Sequence, residues 1–393
     1  MNLSSHPVLI VMAIAVAASL LAEIRMRVHV PVVVWEMVLG ILVGPFVMRL
    51  VHVDDLLDWL GRIGLGALFF MAGMDLDLQK VKGRPLSLAL KGWILSLALG
   101  IVVAGFLHVL PLVDAPIMVA LALTTTSMGT FMPMLRDAGR LDSRFGIFAI
   151  AAGAVGEFGP VIVVSLVLTR MFGAWQELAL MLGFVIIALM AALVALGLRP
   201  PKILELFERG MHSSTQLPVC ISILLLACFD VLSSTIGLEA VLGAFAAGMV
   251  VGLASRGEAN ELFREKMEAI CYGCFVPCFF VVSGIRFDLG SILHSPKTML
   301  LLPVFLALFL VVRGAPVFLY RNDIPKEERW PLALYSATAL PIVVAITSIG
   351  VRSGRMSTDI AASLVGAGLL SVLLFPAVAS ALLGKMVQTA SPQ

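Results

Sequence analysis

The chain has 393 residues, of which 60% are hydrophobic and only 13% charged, about half the charge that a soluble domain of this length carries on its surface. That composition excludes a water-exposed globular protein, and a net charge of +2 with no basic stretch interleaved with aromatics gives no case for nucleic-acid binding. The apolar runs extend over roughly 17–25 residues, enough to cross about 30 Å of hydrocarbon as helices, and they lack the alternation of barrel strands.

In chain order the runs predict spans near 7–25, 30–51, 58–75, 86–111, 115–136, 144–170, 175–198, 216–235, 238–254, 267–285, 298–320, 329–351 and 358–384, about thirteen in all. No cationic segment or convincing cleavage site accompanies the first run, so it reads as a retained helix and not a signal peptide. The second span opens on Glu36-Met-Val-Leu-Gly40-Ile-Leu-Val-Gly44. The ninth opens on the similar Glu239-Ala-Val-Leu-Gly243-Ala-Phe-Ala-Ala-Gly248. The third span ends Leu68-Phe69-Phe70-Met71-Ala72-Gly73 and the tenth Cys278-Phe279-Phe280-Val281-Val282-Ser283-Gly284, followed by Asp77-Leu78 and Asp288-Leu289 respectively. Partners seven spans apart cross the membrane in opposite senses, which predicts two inverted repeats, about 7–170 and 216–384, within one transmembrane domain.

Most of the 27 Lys and Arg, from Arg25 and Arg27 through Arg136, Arg140 and Arg144 to Lys385, fall in loops on one side. The positive-inside rule then places the N-terminus outside and the C-terminus in the cytoplasm, in a cell (inner) membrane. Cys220, Cys228, Cys271, Cys274 and Cys278 all lie in apolar runs. The last three share one helix face at i, i+3, i+7 and read as packing residues.

Ionisable groups deep in a membrane are costly and mark function by default. Glu157, in Gly153-Ala-Val-Gly156-Glu157-Phe-Gly159-Pro160, stands at the middle of the sixth span, too far from either interface to snorkel. The glycines allow close helix approach, and Pro160 frees a carbonyl one turn earlier. Glu157 is therefore the candidate cation and proton site. Arg313, within the eleventh span, is its expected charge partner, with snorkelling to the cytoplasmic side as the other reading. Asp230 lies nearer a span end and suits snorkelling or capping.

Two spans read as broken. The fifth contains Thr124-Thr125-Thr126-Ser127-Met128-Gly129-Thr130-Phe131-Met132-Pro133, and the twelfth Tyr335-Ser336-Ala337-Thr338-Ala339-Leu340-Pro341. Hydroxyl and β-branched residues followed by Gly or Pro make poor helix. The breaks are expected at Gly129 and Pro133, and at Ser336, Thr338 and Pro341. Discontinuous helices bring carbonyls and positive helix N-termini to the midplane, so Thr125, Thr126 and Ser127 are expected to supply hard oxygen ligands beside Glu157.

These residues resemble the cation:proton antiporter superfamily, in its Kef-type and bacterial sodium–proton antiporter branch, over nearly all of the spans. Leu39-Gly-Ile-Leu-Val-Gly44-Pro45, Ile236-Gly237-Leu238-Glu239-Ala240 running on to Gly248, and Pro277-Cys-Phe279-Phe280-Val-Val-Ser-Gly284 carry the likeness. It implies an all-α fold of about thirteen spans with two crossed discontinuous helices. Glu157 falls where the family carries its ion-binding aspartate, and Arg313 where it carries a membrane-embedded Lys or Arg. The resemblance further implies exchange of Na⁺ or K⁺ for protons by an elevator-like motion, in a homodimer, with no cofactor and no enzymatic step. A Kef-like gated potassium efflux channel and an organic-anion symporter of the related bile-acid-transporter fold are the alternatives. One departure stands out: the family places Asn, Gln or Asp before an Asp, whereas this chain has Gly156-Glu157. A single carboxylate favours one-for-one exchange. With the chain ending at Gln393, soon after the last span, no soluble regulatory domain is expected.

Overall fold

Backbone groups in a lipid core can be satisfied only within the chain, and runs this apolar satisfy them as helices. In the computed structural model, which describes residues 7–23, 30–74, 83–137, 139–168, 215–235, 240–255 and 260–390, every regular element is helical. In chain order these are α1 (Pro7–Glu23), α2 (Val32–Val43), α3 (Asp55–Met74), α4 (Arg84–Val109), α5 (Pro116–Leu123), α6 (Met128–Asp137) and α7 (Arg144–Leu168). The second half has α8 (Leu217–Thr235), α9 (Ala240–Ala254), α10 (Asn260–Ile270), a π turn (Cys271–Phe275), α11 (Val276–Ile285), α12 (Leu289–His294) and α13 (Pro296–Gly314). A 3₁₀ turn (Ala315–Tyr320), α14 (Lys326–Ala337), α15 (Pro341–Arg352) and α16 (Thr358–Ala390) complete it. Among the described residues, eight helical stretches are long and apolar enough to cross a membrane, and shorter apolar helices accompany them. The expected span at 175–198, the basic residues Arg25 and Arg27, and the repeat residues Asp77, Leu78 and Glu239 lie outside the described residues.

The chain forms two compact units. The first comprises residues 1–52, 77–160 and 283–393, and the second 53–76 and 161–282. In the second, α3 lies against α9, and α9 against α8. Gly73 of α3 and Gly248 of α9 make that approach possible: a side chain at 73 would overlap the Phe245 carbonyl, and one at 248 the Phe70 carbonyl. In the first unit, Gly284 at the end of α11 lies in the same way against Met37 and Gly40 of α2. The Phe-Phe…Gly end of α3 thus packs on the Gly-rich α9, and that of α11 on the Gly-rich α2.

In the first unit, the long α16 packs on α13 and α14. Tyr335 of α14 is the hub of the unit. Its ring lies 5.2 Å from Phe131 and 6.3 Å from Phe145, and its hydroxyl is 3.0 Å from Ser380 Oγ. At the end of this unit where α4 and α7 begin, buried Asp323 holds Arg84 bidentately at 2.6 and 2.9 Å and Arg144 at 3.4 Å. Arg140 pairs with Glu328 beside it at 2.8 Å. The Arg84 hydrogen bond, helped by Arg144, holds the Asp323 carboxyl below its ordinary value against the opposing effect of burial.

One sequence expectation is corrected in the second unit. Cys271, Cys274 and Cys278 do not share a face: Cys271 and Cys278 are buried while Cys274 is exposed. The π turn over 271–275 widens the helix there and shifts the register that an unbroken 3.6-residue period assumes.

Candidate functional site

The fifth span breaks because its threonines turn on their own backbone. Thr124 and Thr125 donate their hydroxyls to the carbonyls of Leu121 and Ala122, each at 2.8 Å, and close α5. Residues 125–127 are not helical, and α6 begins at Met128. The twelfth span breaks at 338–340, after Ser336 in the last turn of α14 and before Pro341, the first residue of α15. Proline suits that first position, where its missing N–H would have no helical partner. The expected breaks at Gly129 and Pro133 are therefore corrected: both residues lie inside α6, and hydroxyl capping upstream of them ends α5. Ser336 is likewise helical, whereas the breaks expected at Thr338 and Pro341 fall where the chain unwinds and restarts.

The two unwound segments cross and bond to each other. Ser127 N–H donates to the Thr338 carbonyl at 2.7 Å, and the Thr126 hydroxyl donates to the Ser336 carbonyl at 2.5 Å. The third partner is α7. Pro160 cannot donate to the Gly156 carbonyl four residues earlier, and that carbonyl accepts from Thr126 N–H at 2.9 Å. A proline in one helix thus supplies the hydrogen-bond acceptor that an unwound segment of another requires. From the far side, Ser371 of α16 accepts from Ala339 N–H at 3.0 Å and lies 3.0 Å from the Ala339 carbonyl oxygen.

Glu157 stands at this crossing, thirteen residues into α7. Its Oε2 lies 3.4 Å from Met128 N–H, the first amide of α6. A carboxylate there meets unpaired N–H groups and the positive end of a helix dipole. Thr124, Thr125, Thr126, Ser127, Ser336 and Thr338 are all buried around it, while Glu157 itself keeps partial exposure. The oxygens gathered here are hydroxyls, carbonyls and one carboxylate, a hard-ligand set suited to a small cation.

Arg313, 4% exposed on α13, reaches the same crossing. Its Nε donates to Thr126 Oγ1 at 2.9 Å and to the Ser336 carbonyl at 3.3 Å. Nη1 donates to Ser96 Oγ at 3.3 Å, and Nη2 to the Ala152 carbonyl at 3.1 Å. These bonds all end on neutral oxygens, so the direct pairing with Glu157 expected from the sequence is not what holds Arg313. Helix geometry explains it: side chains at 156 and 157 leave α7 about 100° apart. The face at 156 meets Arg313 and the face at 157 meets α6. The snorkelling alternative is set aside by the same contacts.

Two contributors on α4 carry no sequence signal of their own. Ser96, fully buried, accepts from Arg313 and donates to the Val312 carbonyl at 2.9 Å. Trp93 covers Gly159 of α7, where an added side chain would lie 2.5 Å from the indole. A serine and a tryptophan in an apolar span look like ordinary packing until the fold sets them against α7. Asp230, by contrast, is exposed on α8 in the second unit. Among the described residues no cluster of His, Cys, Asp and Glu could hold a structural metal.

An all-helical membrane protein with two interrupted helices crossing beside a mid-span carboxylate has the architecture of a secondary transporter. The chain belongs to the family described as sodium/hydrogen exchanger, transmembrane, whose model matches residues 10–385. It is 23% identical over 373 residues to the putative Na⁺/H⁺ antiporter YjbQ of Bacillus subtilis (strain 168), matching 90% of this chain and 59% of that protein. It thus spans about three fifths of that relative's length. To the Na⁺/H⁺-K⁺ antiporter GerN of Bacillus cereus it is 24% identical over 370 residues, with 92% of each chain covered. The fold is that of the sodium proton antiporter MjNhaP1 from Methanocaldococcus jannaschii, with a TM-score of 0.65, 18% identity, and 99% of both chains covered.

Proposed function

We propose that the chain is a secondary antiporter exchanging a monovalent cation, Na⁺ or K⁺, for protons by alternating access, with Glu157 as the group the two ions share. The observation that carries this is the Glu157 carboxylate at the N-terminus of α6, beside the crossing of the two interrupted helices. The names of the relatives, sodium–proton and sodium–proton/potassium antiporters, support the same class of substrate.

Either a proton or a cation neutralises the carboxylate. Moving the bare charge through a low-dielectric environment is penalised by desolvation, so the site crosses loaded in both directions and exchange prevails over leak. The α6 amide and the fixed positive charge of Arg313 stabilise the ionised form between the two loads. Thr125, Thr126 and Ser127, with the carbonyl of Thr338, are the proposed oxygen neighbours of the cation. In Thr125 and Thr126 the hydroxyl hydrogens are already committed to carbonyls; this leaves the Thr125 lone pairs for a cation, and one on Thr126 beside the one that Arg313 takes. With one carboxylate the exchange is one-for-one. The loop charges place the N-terminus outside and the C-terminus in the cytoplasm, in a homodimer within the cell membrane.

The test is reconstitution into proteoliposomes with an imposed pH gradient, adding Na⁺, K⁺ or Li⁺ in turn. Cation-dependent dissipation is expected for the native chain and its loss for Glu157→Gln. Exchange at native rates in that variant would sink the assignment, and single-channel currents beyond carrier turnover would replace it with a channel.

A further inference from the structure

Gly156 stands immediately before the carboxylate and faces the other way, onto Arg313. A Cβ at that position would overlap Arg313 Nη2, lie 2.5 Å from Thr126 Oγ1 and 2.8 Å from Thr126 Cβ. Real Cβ atoms do not tolerate such distances, so no other residue fits there without displacing something. Thr126 is tied down: its N–H bonds to the Gly156 carbonyl at 2.9 Å and its hydroxyl to the Ser336 carbonyl. The guanidinium is held by oxygens from four elements: α4, the segment after α5, α7 and α14. The volume a side chain would fill at 156 is the volume the guanidinium occupies. Gly159, one turn on, is different, because its vacancy is filled by the Trp93 indole and not by a charge.

We propose that Gly156 is a positioning residue: by lacking a side chain it seats the Arg313 charge against α7 and Thr126, and through Arg313 it sets how tightly the crossing binds cation. This rests on the exchange reading of the site. The charge of Arg313 lies within the oxygen cluster and takes the Thr126 hydroxyl and the Ser336 carbonyl as partners. Moving it changes which oxygens a cation meets and how they are held. A methyl at 156 pushes the guanidinium off Ala152 and Thr126, and the unwound segment loses its clamp.

The test is a double-mutant cycle on the full chain in proteoliposomes, with Gly156→Ala, Arg313→Lys and the pair, read as cation KM against maximal rate. Coupled residues in one network show strong non-additivity. Gly156→Ala alone is expected to raise KM by about tenfold with a smaller change in maximal rate. In the Arg313→Lys background the same methyl is expected to raise KM by less than about half that factor, because the slimmer ammonium removes the overlap with Nη2, while the contact with Thr126, held by its bonds to Gly156 and Ser336, remains. Gly159→Ala, against Trp93, is expected to cost the same factor in both backgrounds. The cycle is also read as melting temperature of the purified protein, a measurement that stands even if Glu157→Gln were to exchange normally and the site reading failed. Equal penalties for Gly156→Ala with Arg313 and with Lys at 313, by KM and by melting temperature, would overturn the proposal. So would failure of the double variant to fold, since relief of the overlap is what it is built to provide.

Discussion

At the scale of single residues, the crossing is held by side chains that each serve two masters. Thr126 gives its hydroxyl hydrogen to Ser336 and takes the Arg313 Nε–H on the same oxygen, while its amide holds Gly156. Thr126→Val keeps the shape and removes the oxygen. It leaves the Arg313 Nε–H and the Ser336 carbonyl with only their longer 3.3 Å bond to each other, a loss of about 1 kcal/mol. The expected result is a lower melting temperature together with weaker cation-dependent exchange, whereas Thr126→Ser stays near native in both. Melting curves with and without cation check this. Glu157 was legible from the sequence because a carboxylate thirteen residues from each flanking arginine has no route to water along its own helix. The neutral seat of Arg313 was not legible, because it is assembled from four elements and two of its oxygens belong to the backbone.

At the scale of elements, three helices break or bend for one another's benefit. The threonines end α5 by bonding their own carbonyls, Pro160 frees the carbonyl that receives Thr126, and Pro341 restarts α15. Ser371 of α16 then holds the second unwound link by both the N–H and the carbonyl of Ala339. Ser371→Ala leaves a buried N–H unsatisfied, at about 1–3 kcal/mol. It is expected to lower the melting temperature, and to slow exchange more than it weakens cation binding, because Ser371 acts on the backbone of the second unwound segment. Initial rates against cation concentration separate the two effects. That both spans break was readable from hydroxyl, Gly and Pro content. Where the first one breaks was not: Gly129 and Pro133 are the stronger helix-breakers by type, but the hydroxyl caps act first along the chain.

At the scale of the whole molecule, two exposed arginines on one buried carboxylate tie the beginnings of α4 and α7 to the turn before α14, three elements that carry Ser96, Glu157 and Ser336. Asp323 is 239 residues from Arg84. Its carboxyl is held below the ordinary value chiefly by the Arg84 hydrogen bond. A group with a depressed folded-state value contributes stability that is complete above its unfolded value, near 3.9, and that is lost as pH falls through the folded value. The native protein is therefore expected to keep this contribution from neutrality down to about pH 4 and to lose it below. Asp323→Asn lowers the melting temperature at pH 7 and flattens the acid decline, and melting temperatures of both proteins between pH 3 and 7 would show it. A parallel decline in the two proteins would remove Asp323 from the account.

The sequence by itself determined that the chain crosses a membrane as helices, that two spans are interrupted, and that Glu157 lies in the middle of a span, because hydropathy, helix-breaking chemistry and position along a helix are local properties. Similarity between the two halves was also readable along the chain, in the Glu36 and Glu239 motifs and the two Phe-Phe…Gly ends. Only the tertiary structure decided that Arg313 binds neutral oxygens instead of Glu157, that Ser96 and Ser371 brace the crossing, and that Gly156 gives its space to a guanidinium. Those facts depend on which faces of separate helices meet. A hydrogen bond between residues some two hundred positions apart leaves no periodic trace in either segment.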